Sequence, residues 1–287
     1  MRRVLGVNTW VWASPLRDDS LAELARRAAG MGFGAIELPV ESPGDWDPAR
    51  ARDVLDELGL APHVVGAMAP GRDLVEASAE TIDSTRDYLR HCIDVAAVLG
   101  AGIVAGPFYA ATGRTWRMGP DARAAAIAQL RTSLAPVVDH ALAAGVTLAI
   151  EPLNRYETSL INTVEQALDA LEPLLGPGLG LALDSYHLNI EEKRPEDAIR
   201  LAGEHLAHVQ VCGNDRGAVG DDHIDWPGFL DALDDAGYTG PLNLESFTAH
   251  NDTIATAASI WRPLAASQDE LATRTVGYLT ALQEERA

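Results

Sequence analysis

The chain has 287 residues, 47% of them hydrophobic and 22% charged, an ordinary globular balance with enough length to bury a large core. Its formal charge of −20 argues against nucleic acid, whose phosphates want a basic face. The longest apolar runs are strand-length and broken by Gly, Pro or charge, so no segment approaches the roughly 20 apolar residues of a bilayer span. MRRVLGVNTW does not read as a secretory signal, and the two cysteines, Cys92 and Cys212, make neither a disulfide framework nor a CxxC motif. A reducing cytoplasm is therefore the expected compartment.

In chain order, VLGVNTW (4–10) is the first predicted strand, followed by the amphipathic segment SLAELARRAAGMG. AIELPV (35–40) precedes the helical DPARARDVLDELGL, and PHVVGAM (62–68) and GIVAGPF (102–108) are the third and fourth strands. The longest helical segment, DARAAAIAQLRTSLAPVVDHALAAG, leads into VTLAIEPLN (146–154). Then come LGLALDS (179–185), LAHVQVC (206–212), GPLNLES (240–246) and a last helical segment, DELATRTVGYLTALQEE. Each of the first three helical segments ends in the Gly expected just past a helix C-terminus, and an Asp or Ser is placed to cap two of them. Eight βα units and one extra C-terminal helix predict a closed (β/α)8 TIM barrel, with residues 1–287 forming a single domain. VNTWVWASP lacks the GxGxxG spacing of a dinucleotide-binding loop.

A barrel of this kind builds its active site at the C-terminal ends of its strands. The last four predicted strands carry Glu151, Asp184, Gln210 and Glu245 there. Side chains alternate across a strand, so Thr147, Ala149 and Glu151 share one face, as do Gly180, Ala182 and Asp184, as do His208, Gln210 and Cys212, and as do Asn243 and Glu245. Leu148, Ile150, Leu181, Leu183, Val209, Val211, Leu242 and Leu244 take the opposite face, toward the helices. Singly, each polar residue could be a strand-end group bonded to loop amides. Together, three carboxylates aimed into one interior repel by several kcal/mol at an effective dielectric near 20 unless a cation or protons neutralise them. A divalent ion is the simplest neutraliser, with Gln210 offering it the amide oxygen while its NH2 bonds a neighbouring carboxylate. An all-oxygen set favours a hard cation, Mn2+, with Mg2+ or Co2+ as substitutes, over zinc. His208, one step deeper, is expected to be a hydrogen-bonded core residue.

At EPLNRYETSLINT (151–163), LDSYHLNIEE (183–192) and GNDRGAVGDDHIDW (213–226) the chain resembles the xylose-isomerase-like sugar isomerase/epimerase family, most closely the ketose 3-epimerases. The resemblance runs from NTWVW to IWRPLAASQDELA. It implies that Glu151, Asp184 and Glu245 are metal ligands, with Glu151 and Glu245 doubling as the acid/base pair. It also places Glu157, His187 and Arg216 on substrate oxygens, and His223 is a further candidate. This sequence departs from the family in having Gln210 where the epimerases usually have a histidine ligand, whereas hydroxypyruvate-isomerase-like relatives have glutamine. A second departure is GAVGDDHIDW, where relatives read G-T-G before the equivalent of His223. Trp10, Trp12, Phe108, Trp116 and Phe247 lie at or beyond strand ends, where aromatics wall sugar sites; Trp116 and Phe247 are taken as substrate contacts.

The implied reaction is C3 epimerisation of a ketose through a cis-enediolate, with a Lewis-acid cation and two glutamates on opposite faces of C3. Arg155 and Arg216 are the only cations in the strand-end segments, too few for a phosphate site, so a non-phosphorylated sugar is expected. The alternatives share the enediolate: a keto-sugar lyase, a C-glycoside deglycosidase-type subunit working with a second subunit, or an aldose–ketose or hydroxypyruvate-type isomerase. A DNA-repair nuclease on this fold would need more histidine ligands and a basic face. The resemblance implies a homodimer or homotetramer.

Overall fold

Eight parallel strands follow one another around a closed barrel, the last pairing with the first. They are β1 (Leu5–Asn8), β2 (Ala35–Val40), β3 (Ala61–Gly66), β4 (Ile103–Gly106), β5 (Thr147–Ile150), β6 (Leu179–Asp184), β7 (Leu206–Val211) and β8 (Leu242–Leu244), in a computed structural model that describes residues 2–286. The expected TIM barrel is therefore present, and the final predicted segment is the helix Gln268–Glu285. Among the described residues, no helix is long and apolar enough to cross a membrane.

Several strands stop earlier than the alternation predicts. Asn8 accepts a hydrogen bond from Trp10 N–H and turns Thr9–Val11 into one 3-10 turn, so β1 ends two residues short of Trp10. β5 and β8 end just before Glu151 and Glu245, whose N–H groups still reach Gly106 O and Val211 O at 3.1 Å. Both glutamates thus sit at the exact edge where the ladder gives way to loop.

The helices Asp18–Met31, Pro48–Leu58 and Pro120–Ala144 stop at Gly32, Gly59 and Gly145, all left-handed, as their C-terminal glycines predict. Asp47 caps the second by accepting from Ala49 and Arg50 N–H. Ser20, the serine placed to cap the first, is instead its third residue and reaches back to Arg17 N–H.

The two faces of the strands separate as the period-two reading requires. Leu148, Ile150, Leu181, Leu183, Val209, Val211, Leu242 and Leu244 belong to the main core shared with the helices. Ala105, Ala149 and Ala182 form a separate small cluster inside the barrel. At the barrel floor a Cβ on Gly6 would lie 1.9 Å from Asn243 Oδ1 and 3.1 Å from Ala35 Cβ, so only glycine fits there.

Between floor and mouth the barrel holds a buried polar layer. Asn8 Nδ2 donates to Glu37 Oε2 at 2.8 Å, and His208 Nε2 lies 2.6 Å from Glu37 Oε1. His208 is fully buried and meets the ring of His63 edge-on, with centroids 5.1 Å apart. Burial, reinforced by the neighbouring His208, pushes His63 down to about 3. An unfolded histidine binds its proton near pH 6.5, so the unfolded chain gains a proton that the fold refuses between that pH and about 3. Stability attributable to His63 is therefore intact above pH 6.5 and falls on acidification by up to about 1.4 kcal/mol per pH unit. Urea midpoints of wild type and His63→Gln at pH 7 and pH 5 should show the variant losing less on acidification. Equal losses would rule His63 out as a source of acid sensitivity.

Candidate active site

Among the described residues, the one buried cation at the barrel mouth is delivered by the loop after β7. In GNDRG, Gly213 N–H donates to Gly217 O and Arg216 N–H to Gly213 O, both at 2.9 Å, and Asp215 Oδ1 accepts from Gly217 N–H. This turn holds Arg216 at φ 70°, a left-handed conformation that costs a non-glycine residue roughly 1–2 kcal/mol. Ser246 Oγ donates to Arg216 O at 2.6 Å and helps secure it. The strained backbone aims the guanidinium inward: Nη1 bonds Asp184 Oδ2, and Glu245 Oε2 at 2.9 Å, while Cζ lies 4.0 Å over the Tyr186 ring and 5.1 Å from the Phe247 ring centroid.

Asp184 ends β6 and is both a cap and a charge. Its Oδ1 accepts from Tyr186 N–H at 2.9 Å, opening the short helix Ser185–Glu191 that carries His187. Burial alone would push its carboxyl up, but Arg216, His187 and the Tyr186 amide together hold it below the usual range. Glu151 and Glu245 behave oppositely. Burial raises Glu151 well above an ordinary glutamate, with Glu245 and Asp184 adding to the rise. Burial also raises Glu245, against the opposing pull of Arg216 and with help from Asp184 and Glu37. The site therefore sets Asp184, favoured in its ionised form, beside two glutamates whose protonated forms are favoured.

Gln210 is held by carboxyl groups on two sides. Its Nε2 donates to Glu37 Oε2 at 3.0 Å and to Glu245 Oε1 at 2.8 Å. Flipping the amide would set its oxygen against both of those oxygens, so the chemistry of the neighbours determines which way it faces. The NH2 is bonded to a neighbouring carboxylate, as expected, and indeed to two. Glu37 went unnoticed in the sequence, although counting by twos from Ala35 places it on the inner face of β2.

The Asn154 backbone amide assigns the tautomer of His187. Nδ1 accepts from Asn154 N–H at 3.0 Å, so the ring proton is on Nε2, which lies 3.4 Å from Glu151 Oε1. Arg216 Nη2 is 3.2 Å from the same Nε2, an approach of two N–H donors that does nothing to stabilise either. Burial keeps the ring's proton affinity low. His187 therefore presents a donor to the site. Asn154 was also missed; its Nδ2 holds Glu157 Oε1 at 2.8 Å, so one residue positions two of the predicted substrate contacts.

The donor atoms suit a cation. One ligand atom each from Glu151, Asp184 and His187 falls within 4.8 Å of the others, and Glu151 Oε1 is buried with no hydrogen-bond partner among the described residues. Asp184 and Glu245 are already bridged by a positive group, Arg216 Nη1. With Nε2 of His187 protonated, the lone pairs free to hold an ion are those of the carboxylates, and an oxygen-dominated set matches a hard or borderline divalent ion.

A cavity of about 350 Å³ opens above these groups, small enough to select a small molecule over a polymer. Glu151, Glu157, His187, Arg216, Glu245 and Phe247 all line it. Asp184 and Gln210 are buried beneath, bonded to Arg216 and Glu245 respectively. Two predicted contacts are not brought to it. Trp116 stacks under Arg114, whose Cζ is 4.3 Å from its ring, and its backbone N–H donates to Ser159 Oγ. His223 is exposed, with Nε2 2.9 Å from Asn189 Oδ1. Trp10 lines the cavity instead, its ring 5.7 Å from that of Phe247. His208 is the core residue expected.

Comparison with known proteins places this arrangement. The chain is 31% identical over 277 residues to the ketose 3-epimerase of Arthrobacter globiformis, covering 96% of this chain and 95% of that one. It is 28% identical over 279 residues to the L-ribulose 3-epimerase of Methylomonas sp. (strain DH-1), covering 96% of each. Among solved structures, D-allulose 3-epimerase from Methylomonas sp. in complex with D-allulose superposes with a TM-score of 0.89 at 27% identity, over 98% of this chain and 97% of that one. Residues 25–270 match the family described as xylose isomerase-like TIM barrel, and with the closed barrel and its mouth already in view, the chain belongs to that family.

Proposed function

We propose that this protein is an enzyme that inverts C3 of a non-phosphorylated ketose with the help of a divalent cation. The observation that carries the reading is the pair Glu151 and Glu245. They stand at the ends of β5 and β8, separated around the barrel by β6 and β7, so they approach the cavity from different sides. Inversion requires that geometry, since one group must take a proton from one face of C3 and another must return one to the opposite face.

Glu151, Asp184 and Glu245 would hold the cation, with the Gln210 amide oxygen as fourth donor; Mn2+ suits this set, and Mg2+ or Co2+ could replace it. Bound there, the ion would supply positive charge and Lewis acidity that make the C3 proton removable. The remaining work belongs to the chain's own side chains. Burial favours the protonated forms of both Glu151 and Glu245, which suits carboxyl groups that exchange protons with a substrate carbon. His187 Nε2–H donates to the oxygen on which negative charge grows, and the Asn154 amide keeps that proton on Nε2. Glu157, fixed by Asn154 Nδ2, accepts from a sugar hydroxyl. Arg216 supplies charge at the mouth of the barrel. A neutral sugar is supported by the fate of Arg155, which is exposed and bonded to Glu191 through Nε at 2.9 Å and Nη2 at 3.0 Å. Among the described residues, no second cation then lines the cavity for a phosphate.

Proton NMR of the Mn2+-loaded protein in D2O with D-fructose, D-tagatose, D-allulose and a 3-keto-glucoside tests the reading. Deuterium at C3 with appearance of the C3 epimer is the expected outcome. Exchange or elimination with the keto-glucoside alone would overturn it in favour of a lyase or deglycosidase.

A further inference from the structure

Much of the cavity is walled by apolar groups, among them Trp10, Val65, Met68, Phe247 and Ile254, and Glu41 lines it beside them. The other ionisable residues lining it, Glu151, Glu157, His187, Arg216 and Glu245, form the reacting end. Glu41 is separated from that end by two aromatic rings. Arg216 lies against Phe247, Phe247 lies against Trp10, and the Trp10 indole Nε1–H bonds Glu41 Oε1 at 2.9 Å.

Glu41 is held with unusual firmness for a half-buried carboxylate. Ser14 Oγ donates to the same oxygen, Oε1, at 2.7 Å. Its backbone follows the last residue of β2, and Glu41 O accepts from Arg72 Nη2 at 2.7 Å. Arg72 is itself fixed, by Ala67 O and by stacking 3.6 Å over the Tyr88 ring, and Tyr88 bonds back to Val40 O at 2.6 Å. Both side-chain donors enter Oε1, while Oε2 has no donor among the described residues. A carboxylate oxygen on an apolar wall needs donors, and a sugar hydroxyl supplies one.

We propose, on the basis of the ketose reading above, that Glu41 is a specificity-determining residue that accepts a hydrogen bond through Oε2 from a hydroxyl on the far part of the substrate, at C5 or C6. The bond is to a charged, pre-positioned acceptor, so it favours sugars that carry that hydroxyl and gives the apolar wall a polar register for the carbon chain. The reacting carbons are untouched by it, and Glu41 acts on binding rather than on proton transfer.

The test compares kcat and KM of the Mn2+-loaded wild type and Glu41→Leu with a ketohexose that the wild type epimerises, its 5-deoxy analogue and its 6-deoxy analogue. The wild type should prefer the parent sugar over one deoxy analogue by roughly 10- to 100-fold in kcat/KM, the range of a hydrogen bond to a charged group. Glu41→Leu should lose that preference, mainly through KM, while its kcat/KM for that analogue changes by less than about threefold. Ser14→Ala removes one of the two donors that hold Glu41 and should reduce the same preference in part. Equal losses on all three sugars would show that Glu41 only braces Trp10 and Ser14, and would overturn the inference while leaving the epimerase reading in place. A wild type that turns over no ketose would overturn both.

Discussion

Glu245→Gln is expected to abolish net C3 inversion, lowering kcat by roughly 10²- to 10⁴-fold, the contribution of a positioned acid/base group. Glu151→Gln should do the same to net inversion, yet the two variants should differ in a second readout. Each epimer presents its C3 proton to only one of the two glutamates. In D2O, Glu245→Gln should retain exchange at C3 with one epimer and lose it with the other, and Glu151→Gln should show the reverse pattern. The amide preserves shape and a hydrogen-bonding oxygen, so the Gln210 contact to residue 245 has a partner in the variant. Bound metal must be quantified in both proteins, because each glutamate is also a proposed ligand. If both variants retain metal and lose exchange with both epimers alike, a two-base inversion is wrong.

Removing the cation with a chelator should lower activity to below about 1%, with recovery on adding Mn2+. Stability gives an independent measure. A ligand at 100 times its Kd stabilises the fold by about 2.7 kcal/mol, which in a chain of this size raises Tm by several degrees. The Mn2+ effect should weaken as pH falls. Glu151 and Glu245 take up protons at higher pH than ordinary carboxylates, so protons compete with the ion well above pH 4.5. Arg216, which bridges Asp184 and Glu245, must yield part of its contact, so Arg216→Gln should bind the ion at least as tightly while losing activity. A Tm that does not respond to Mn2+ at any concentration would remove the metal site from the proposal.

The chemistry of this site was legible in sequence to the extent that it depends on neighbours in the chain. Side chains alternate along a strand whatever lies around it, so TLAI, LGLALD and LAHVQV show which residues face inward, and Glu151, Asp184, Gln210 and Glu245 emerge at one level. The glycines at 32, 59 and 145 declare helix ends for the same local reason, since only a left-handed residue closes the last turn cheaply. The strand ends were less legible, and at β1 the reason is Asn8, which caps the turn beyond the strand.

What only the tertiary structure decided are pairings between residues far apart in the chain. Glu37 meets Gln210 across 173 positions and orients its amide; nothing within reach of either residue in sequence announces the other. The proton on His187 Nε2 depends on the Asn154 amide from the preceding βα loop. Arg114 stacking over Trp116 keeps that ring out of the cavity, whereas Trp10, held by Glu41, enters it. A local pattern can say which face of a strand a residue occupies, because the backbone alone sets that. Which partner satisfies a buried polar group depends on the closure of the barrel, which brings β2 within hydrogen-bonding reach of β7 across its interior.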